Sequence, residues 1–507
     1  MRAEVVVWRA PVHGVHAFPL PAGARGTYAG RQRGQGLVIA RLTDSIARGV
    51  ENAVASVSSS MFEPVIRVGV TGLARSGKTV FITSLVANLL DRGRMPQLAA
   101  AAQGRIEAVV LQPQPDMTVP RFDVEGHLAS LTGDDPRWPV STRSISELRL
   151  SFRVRPTGFL SSFSGLRMVH VDIVDYPGEW LIDLGLMALD YGQWCEKVLA
   201  RIAKRPEASG YLALARAEDG SLPHDEARAR ALAETYTAYL AAAREAGRSD
   251  GAPGRFLLPG DLAGSPVLCF APLPMPATTG RGSLWREMRR RFDGYKRQVV
   301  EPFFRTHFAR IDRQIVLVDV LGAIHRGPVA VQEARAAMAE VLTAFRPGAN
   351  GWLSRLLGTH RVERILFAAT KADHLHHGQH PRLTGILQAM LREAISRADF
   401  SGARTMAMSM AALRCTVEED ITRDGVILSA VRGRLLSTGR QAALYPGELP
   451  EDPARLLAAA RDGAARWLDA DYTVMDFAPA RLRLRPGEGP PHIRLDRAAQ
   501  FLIGDRL

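Results

Sequence analysis

The chain has 507 residues, 46% apolar and 23% charged, the balance of a globular protein with room for two or three domains. Its net charge of +13 is almost wholly arginine, since only five of the 65 basic residues are lysines: Lys78, Lys197, Lys204, Lys296 and Lys371. No run nears the roughly 18 apolar residues of a membrane span, no signal-peptide pattern opens the chain, and three scattered cysteines exclude a disulfide scaffold.

A reducing, cytoplasmic setting follows as the expectation, with Cys195, Cys269 and Cys415 as buried thiols. The basic excess reads as arginine bias over solvated faces, with an anionic surface as the alternative partner and no specific nucleic acid expected.

Residues 1–36 are rich in Gly, Arg and Pro without periodicity, an expected disordered extension. In 37–60, Val38, Leu42, Ile46, Val50, Val54 and Val57 form a stripe at helical spacing, an amphipathic lead helix for its own domain, a partner or a membrane surface. Val65–Val70 is a β-branched run, hence a buried strand, and Val80, Ile82, Leu85, Val86, Leu89 and Leu90 recur as a helix that Gly93 should stop. A Pro-interrupted stretch runs from Pro96 to Pro139. Strands are expected at 145–154 and 166–175. The chain then reads helical from 181 to 311, with an Ala/Arg/Glu-rich helix near 225–247 and a Pro/Gly-rich loop at 251–282. Strand signals resume at 314–321 and 364–369, each followed by a helical pattern, and end with the apolar run 405–410.

Alternating strands and helices predict an α/β fold, a mostly parallel sheet covered on both faces. The expected division is a discontinuous P-loop domain (61–181 and 312–437), a helical insertion (182–311) and a small C-terminal α+β segment (438–507).

Between the first strand and helix, Gly72-Leu73-Ala74-Arg75-Ser76-Gly77-Lys78-Thr79 matches G-x-x-x-x-G-K-[ST] in full. Gly72 and Gly77 allow backbone angles that turn the N–H groups from Ala74 through Val80 onto a phosphate, at a helix N-terminus that favours anions. Lys78 would reach the β- and γ-phosphates and Thr79 would ligate Mg²⁺.

Asp175 ends a later apolar strand, where a second Mg²⁺ residue belongs, and Gly178 completes Asp-x-x-Gly with an N–H available to a γ-phosphate. Thr370-Lys371-Ala372-Asp373 ends another strand. Asp373 can accept from both guanine N1–H and the exocyclic amine, a donor pair adenine lacks. Lys371 would lie along the base, with His374 and Ser409 beside it.

The runs 70–85, Asp175-Tyr176-Pro177-Gly178-Glu179-Trp180-Leu181, Thr370-Lys371-Ala372-Asp373-His374 and 138–143 resemble the YcjX family of bacterial P-loop NTPases over about residues 40–500. The resemblance implies a GTPase-like domain with a helical insertion, GTP/GDP binding, a link to bacterial stress responses and an inner-membrane partner of the YcjF type, with peripheral membrane association.

Switch I would hold Thr142, a third Mg²⁺ ligand, and Arg143, a charge supplied in cis. Glu179 stands where many GTPases carry a water-positioning Gln, so hydrolysis is expected to be slow. The expected function is a slow GTP-hydrolysing switch; a nucleotide-dependent scaffold or an ATPase is the alternative. His374, His376, His377 and His380 cluster in a loop where no cysteine or carboxylate completes a site, so zinc is not expected.

Overall fold

The computed structural model describes residues 63–507 apart from 73–74, 141–143, 158–164, 247, 249–251, 344–361, 401, 424 and 462–475. The N-terminal extension, the lead helix, Ala74, Thr142 and Arg143 therefore lie outside the described residues.

Seven strands form one sheet: β1 (Val65–Gly72), β2 (Ile106–Gln112), β3 (Ser146–Val154), β4 (Arg167–Asp175), β5 (Arg313–Val318), β6 (Arg364–Ala369) and β7 (Arg404–Ser409). Their order is β2-β3-β4-β1-β5-β6-β7. The β4–β1–β5–β6–β7 pairings are parallel, while β2–β3 and β3–β4 are antiparallel. The sheet is the mostly parallel one expected of an α/β fold.

Alternation decides which face each side chain joins. Ile66, Val68 and Val70 of β1, Ile315 and Leu317 of β5, and Leu366 and Ala368 of β6 pack with α1 (Lys78–Asp91) and the C-terminal helix Leu495–Ile503. Val316, Val318, Ile365 and Phe367 face the other way, toward helices Pro328–Thr343 and His380–Phe400 and the helical stretch between β4 and β5. Both faces being covered, β5 is buried at every position.

The structure adds two features to the expected pattern and moves the end of one helix. The Pro96–Pro139 stretch contains β2 and the helix Val124–Thr132, capped by the Asp123 side chain on Gly126 N–H. Residues 416–444 form a second, antiparallel sheet of β8 (Thr416–Arg423), β9 (Val426–Arg434) and β10 (Gln441–Leu444). Finally, α1 ends on Arg92 in the left-handed region (φ 53°). Gly93 serves a different need: a Cβ there would lie 2.5 Å from the Gly487 carbonyl oxygen.

From β1 the chain runs to one side of the sheet through β4, then crosses to the other side at β5. The crevice beyond the carboxyl end of β1 is thus the topological switch point, where open α/β sheets bind ligands.

Candidate functional site

A cavity of about 470 Å³ opens at that switch point. The loop after β1 supplies its floor: Arg75, Ser76, Gly77, Lys78 and Thr79 all line it. Arg75 (φ 65°) and Gly77 (φ 84°) are left-handed, and α1 starts at Lys78 with no side chain capping its first N–H groups. A helix start left uncapped in this way presents donors and partial positive charge to an anion. Gly72 is required by packing, since a Cβ would meet Ser76 Oγ at 2.3 Å and the Leu317 carbonyl at 2.7 Å. The buried Ser76 Oγ has no hydrogen-bond partner, which leaves it available at the cavity floor.

Asp175 is fully buried at the end of β4, in register with Val70 of β1. Gly178 lies against the start of the loop: a Cβ there would be 2.7 Å from the Gly72 carbonyl oxygen and 3.2 Å from Thr71 Oγ1. Neither Asp175 nor Gly178 lines the cavity, but Glu179 does.

Glu179 is buried and its Oε1 stands 3.5 Å from the Arg244 guanidinium, which comes from the C-terminal turn of α2 (Glu226–Glu245) and also lines the cavity. A partly exposed pair at this distance contributes about 0–1 kcal/mol.

The residues after Glu179 are held by the loop that follows α2. Asp183 accepts from Gly254 N–H (2.7 Å) and from Tyr295 OH (2.5 Å). Arg255 stacks 3.2 Å over the Trp180 ring, and Trp180 Nε1 donates to the Leu258 carbonyl. Burial pushes the Asp183 carboxyl up to about 7, against the lowering pull of Tyr295, Gly254 and Arg255.

At the far side, Thr370, Lys371, Asp373 and His374 line the cavity from the end of β6. β5 separates β6 from β1, so about 10 Å, two strand spacings, lies between this motif and the phosphate-type loop. Lys371 is left-handed (φ 61°) and its Nζ donates to Asp319 Oδ2 at 2.7 Å. One Asp373 oxygen accepts from Cys415 N–H (2.9 Å), which fixes the carboxylate. Burial lowers the His374 pKa and so favours the neutral imidazole, its Nδ1 unpartnered.

Ser409 stands outside the lining, bonded to the His380 carbonyl and Thr384, while Met410 to Leu413 take the cavity wall.

Several lining residues escaped the sequence. Arg244 is one of many arginines on an Ala/Arg/Glu-rich helix, with nothing in its spacing to single it out. Asp319, which holds Lys371 but does not itself line the cavity, directly follows the apolar β5, much as Asp175 closes β4. Leu436 closes the stretch assigned to the P-loop domain, and Asp476 and Phe477 come from the C-terminal segment, where no motif marks them, with Phe477 taking the Trp138 indole N–H on its carbonyl. The fold also supplies the histidine cluster with a carboxylate the sequence did not show: Glu418 lies 2.6 Å from His377 Nδ1 and 3.6 Å from His376 Nε2.

The model of the YcjX-like family, DUF463, matches residues 66–507. The chain is 38% identical over 457 residues to a protein of Escherichia coli (strain K12) named "Ras-like GTPase YcjX", covering 87% of this chain and 96% of that one. A protein of the same name from Shewanella oneidensis is 34% identical over 468 residues, covering 87% and 94%.

Proposed function

The chain belongs to the YcjX-like family of GTPase-like P-loop proteins, and from that premise we propose that it binds GTP and GDP with Mg²⁺ and hydrolyses GTP slowly, as a switch. The observation that carries this reading is one cavity lined by both Lys78 and Asp373. A phosphate cradle alone would suit any nucleotide. A fixed carboxylate about two strands away selects a base with two adjacent donors, and guanine is that base.

In this reading the N–H groups of 74–80 and Lys78 hold the phosphates, and Asp373 with Lys371 and His374 holds the base. Ser409 acts through the backbone of the following loop. Thr79 and Asp175 fit a hard cation by their oxygen chemistry, with Thr142 as the switch I hydroxyl and Arg143 as a cis charge. When bound, Mg²⁺ neutralises charge on the β- and γ-phosphate oxygens. Gly178 N–H senses the γ-phosphate, and Glu179 keeps intrinsic turnover slow because a carboxylate there repels it. The helical stretch 182–311 is the proposed effector surface. Among the described residues no helix is long and apolar enough to cross a membrane.

Calorimetric titration with GTP, GDP and ATP tests the reading. Wild type is expected to bind both guanine nucleotides and not ATP. Lys78→Ala should lose nucleotide while keeping its unfolding transition, since it removes charge but no core packing. Asp373→Asn should lose discrimination by about 10- to 100-fold, the size of one impaired bidentate base contact. Equal ATP and GTP affinity in wild type would remove the guanine assignment.

A further inference from the structure

We propose that Arg244 is a nucleotide-state sensor that is exchanged between two anions: it pairs with Glu179 when no γ-phosphate is present and turns onto the γ-phosphate when GTP is bound. The inference rests on the cavity being the GTP site.

Three observations carry it. Arg244 is the one arginine of α2 among the residues lining the cavity, where it meets Glu179 and shares the lining with Lys78 and Thr79. Its partner is a carboxylate one residue past the Gly178 that packs on Gly72, so the pair sits next to the loop that a terminal phosphate would contact. The pairing is loose at 3.5 Å and the guanidinium is about one-third exposed, so little opposes its release. A phosphate offers the same planar fork two charged acceptors at shorter range, a stronger and more directional contact. GDP has no such oxygen to offer, and Glu179 then keeps the arginine.

The exchange has a mechanical consequence. Arg244 lies in the last turn of the long helix α2, and the segment beyond α2 clamps residues 179–183 through Gly254, Arg255 and Leu258. The fit there is tight, since a Cβ on Gly254 would lie 2.3 Å from the Glu179 carbonyl oxygen. Moving the guanidinium off Glu179 therefore shifts the balance between α2 and the segment after Gly178. The insertion reads the nucleotide directly, and Arg244 supplies charge to phosphoryl transfer from within the chain.

Single-turnover hydrolysis, GDP and GTP-analogue titrations, and hydrogen exchange over 179–183 and 252–258 test this on the full chain. Arg244→Ala should keep GDP affinity, lose about tenfold or more in GTP-analogue affinity, and slow turnover by about 10²-fold or more, approaching what a supplied arginine contributes. The exchange difference between the two nucleotide states should vanish with it. Arg244→Lys should recover part of the affinity but not the turnover, because an ammonium lacks the fork. Glu179→Gln should raise the preference for GTP analogue over GDP, since the arginine is freed and the repulsion removed.

Unchanged GTP-to-GDP preference and turnover in Arg244→Ala, in a protein that binds GDP normally, overturns the inference alone. So does turnover that depends on Arg143 and not on Arg244. Wild type that binds no guanine nucleotide overturns both this inference and the function it rests on.

Discussion

Asp183 shows how one buried carboxylate couples the site to its surroundings. It is enclosed between Gly254 N–H and Tyr295 OH, and burial raises its pKa to about 7 from the ordinary carboxylate range near 4. The folded chain therefore holds a proton there that the unfolded chain has already released. Between about pH 4 and pH 7 the folded state binds more protons, so stability contributed at this residue falls as pH rises and is lost above about 7. Asp183→Asn keeps an acceptor for Gly254 and cannot ionise. Denaturant unfolding across this range should show a downward slope in wild type that is shallower in the variant. Parallel slopes would place the titration elsewhere.

At the scale of elements, the junction of the β1 loop with the turn after β4 decides whether the site assembles. Gly178 approaches Gly72 closely, and a Cβ would stand 2.7 Å from a backbone oxygen that cannot swing aside. Gly178→Ala should push the turn off the loop, costing about 1–3 kcal/mol as overpacked contacts do. GTP-analogue affinity should fall by about tenfold or more while the far side of the cavity, held by Cys415 on Asp373, is left intact. Titration of analogue against GDP, beside an unfolding curve, separates these effects. Wild-type preference in the Gly178→Ala protein would show that the turn does not sense the terminal phosphate.

Across the whole molecule, the last helix closes the core. Leu495–Ile503 packs on the same sheet face as α1, with Phe501 buried and its carbonyl bonded to Arg364. Asp505 pairs with Arg313 and Arg364 at the starts of β5 and β6. Phe501→Ala should destabilise the protein by about 3–5 kcal/mol, the usual cost of emptying an aromatic core site. A thermal unfolding scan should show a lower midpoint, with bound GDP recovering part of it by mass action. An unchanged midpoint would make the helix peripheral to the core.

Local sequence determined the phosphate-type loop, the parallel strands that carry it and the carboxylates at their ends. Each depends on a short contiguous pattern: glycines at fixed offsets, β-branched runs, an Asp at a strand terminus. Strand β2 and the sheet β8–β10 were less legible: β2 lies inside a Pro-interrupted stretch and is stabilised by pairing with β3 some forty residues on, and charged and polar residues break the apolar pattern of β8 and β9. The tertiary structure alone decided that Arg244 meets Glu179, that Lys371 is held by Asp319, and that Glu418 joins His376 and His377. Those pairs span 65, 52 and about 40 residues of chain, and no periodicity in sequence encodes a contact between two side chains that only the packing of an insertion, the parallel pairing of two strands or a second sheet brings together.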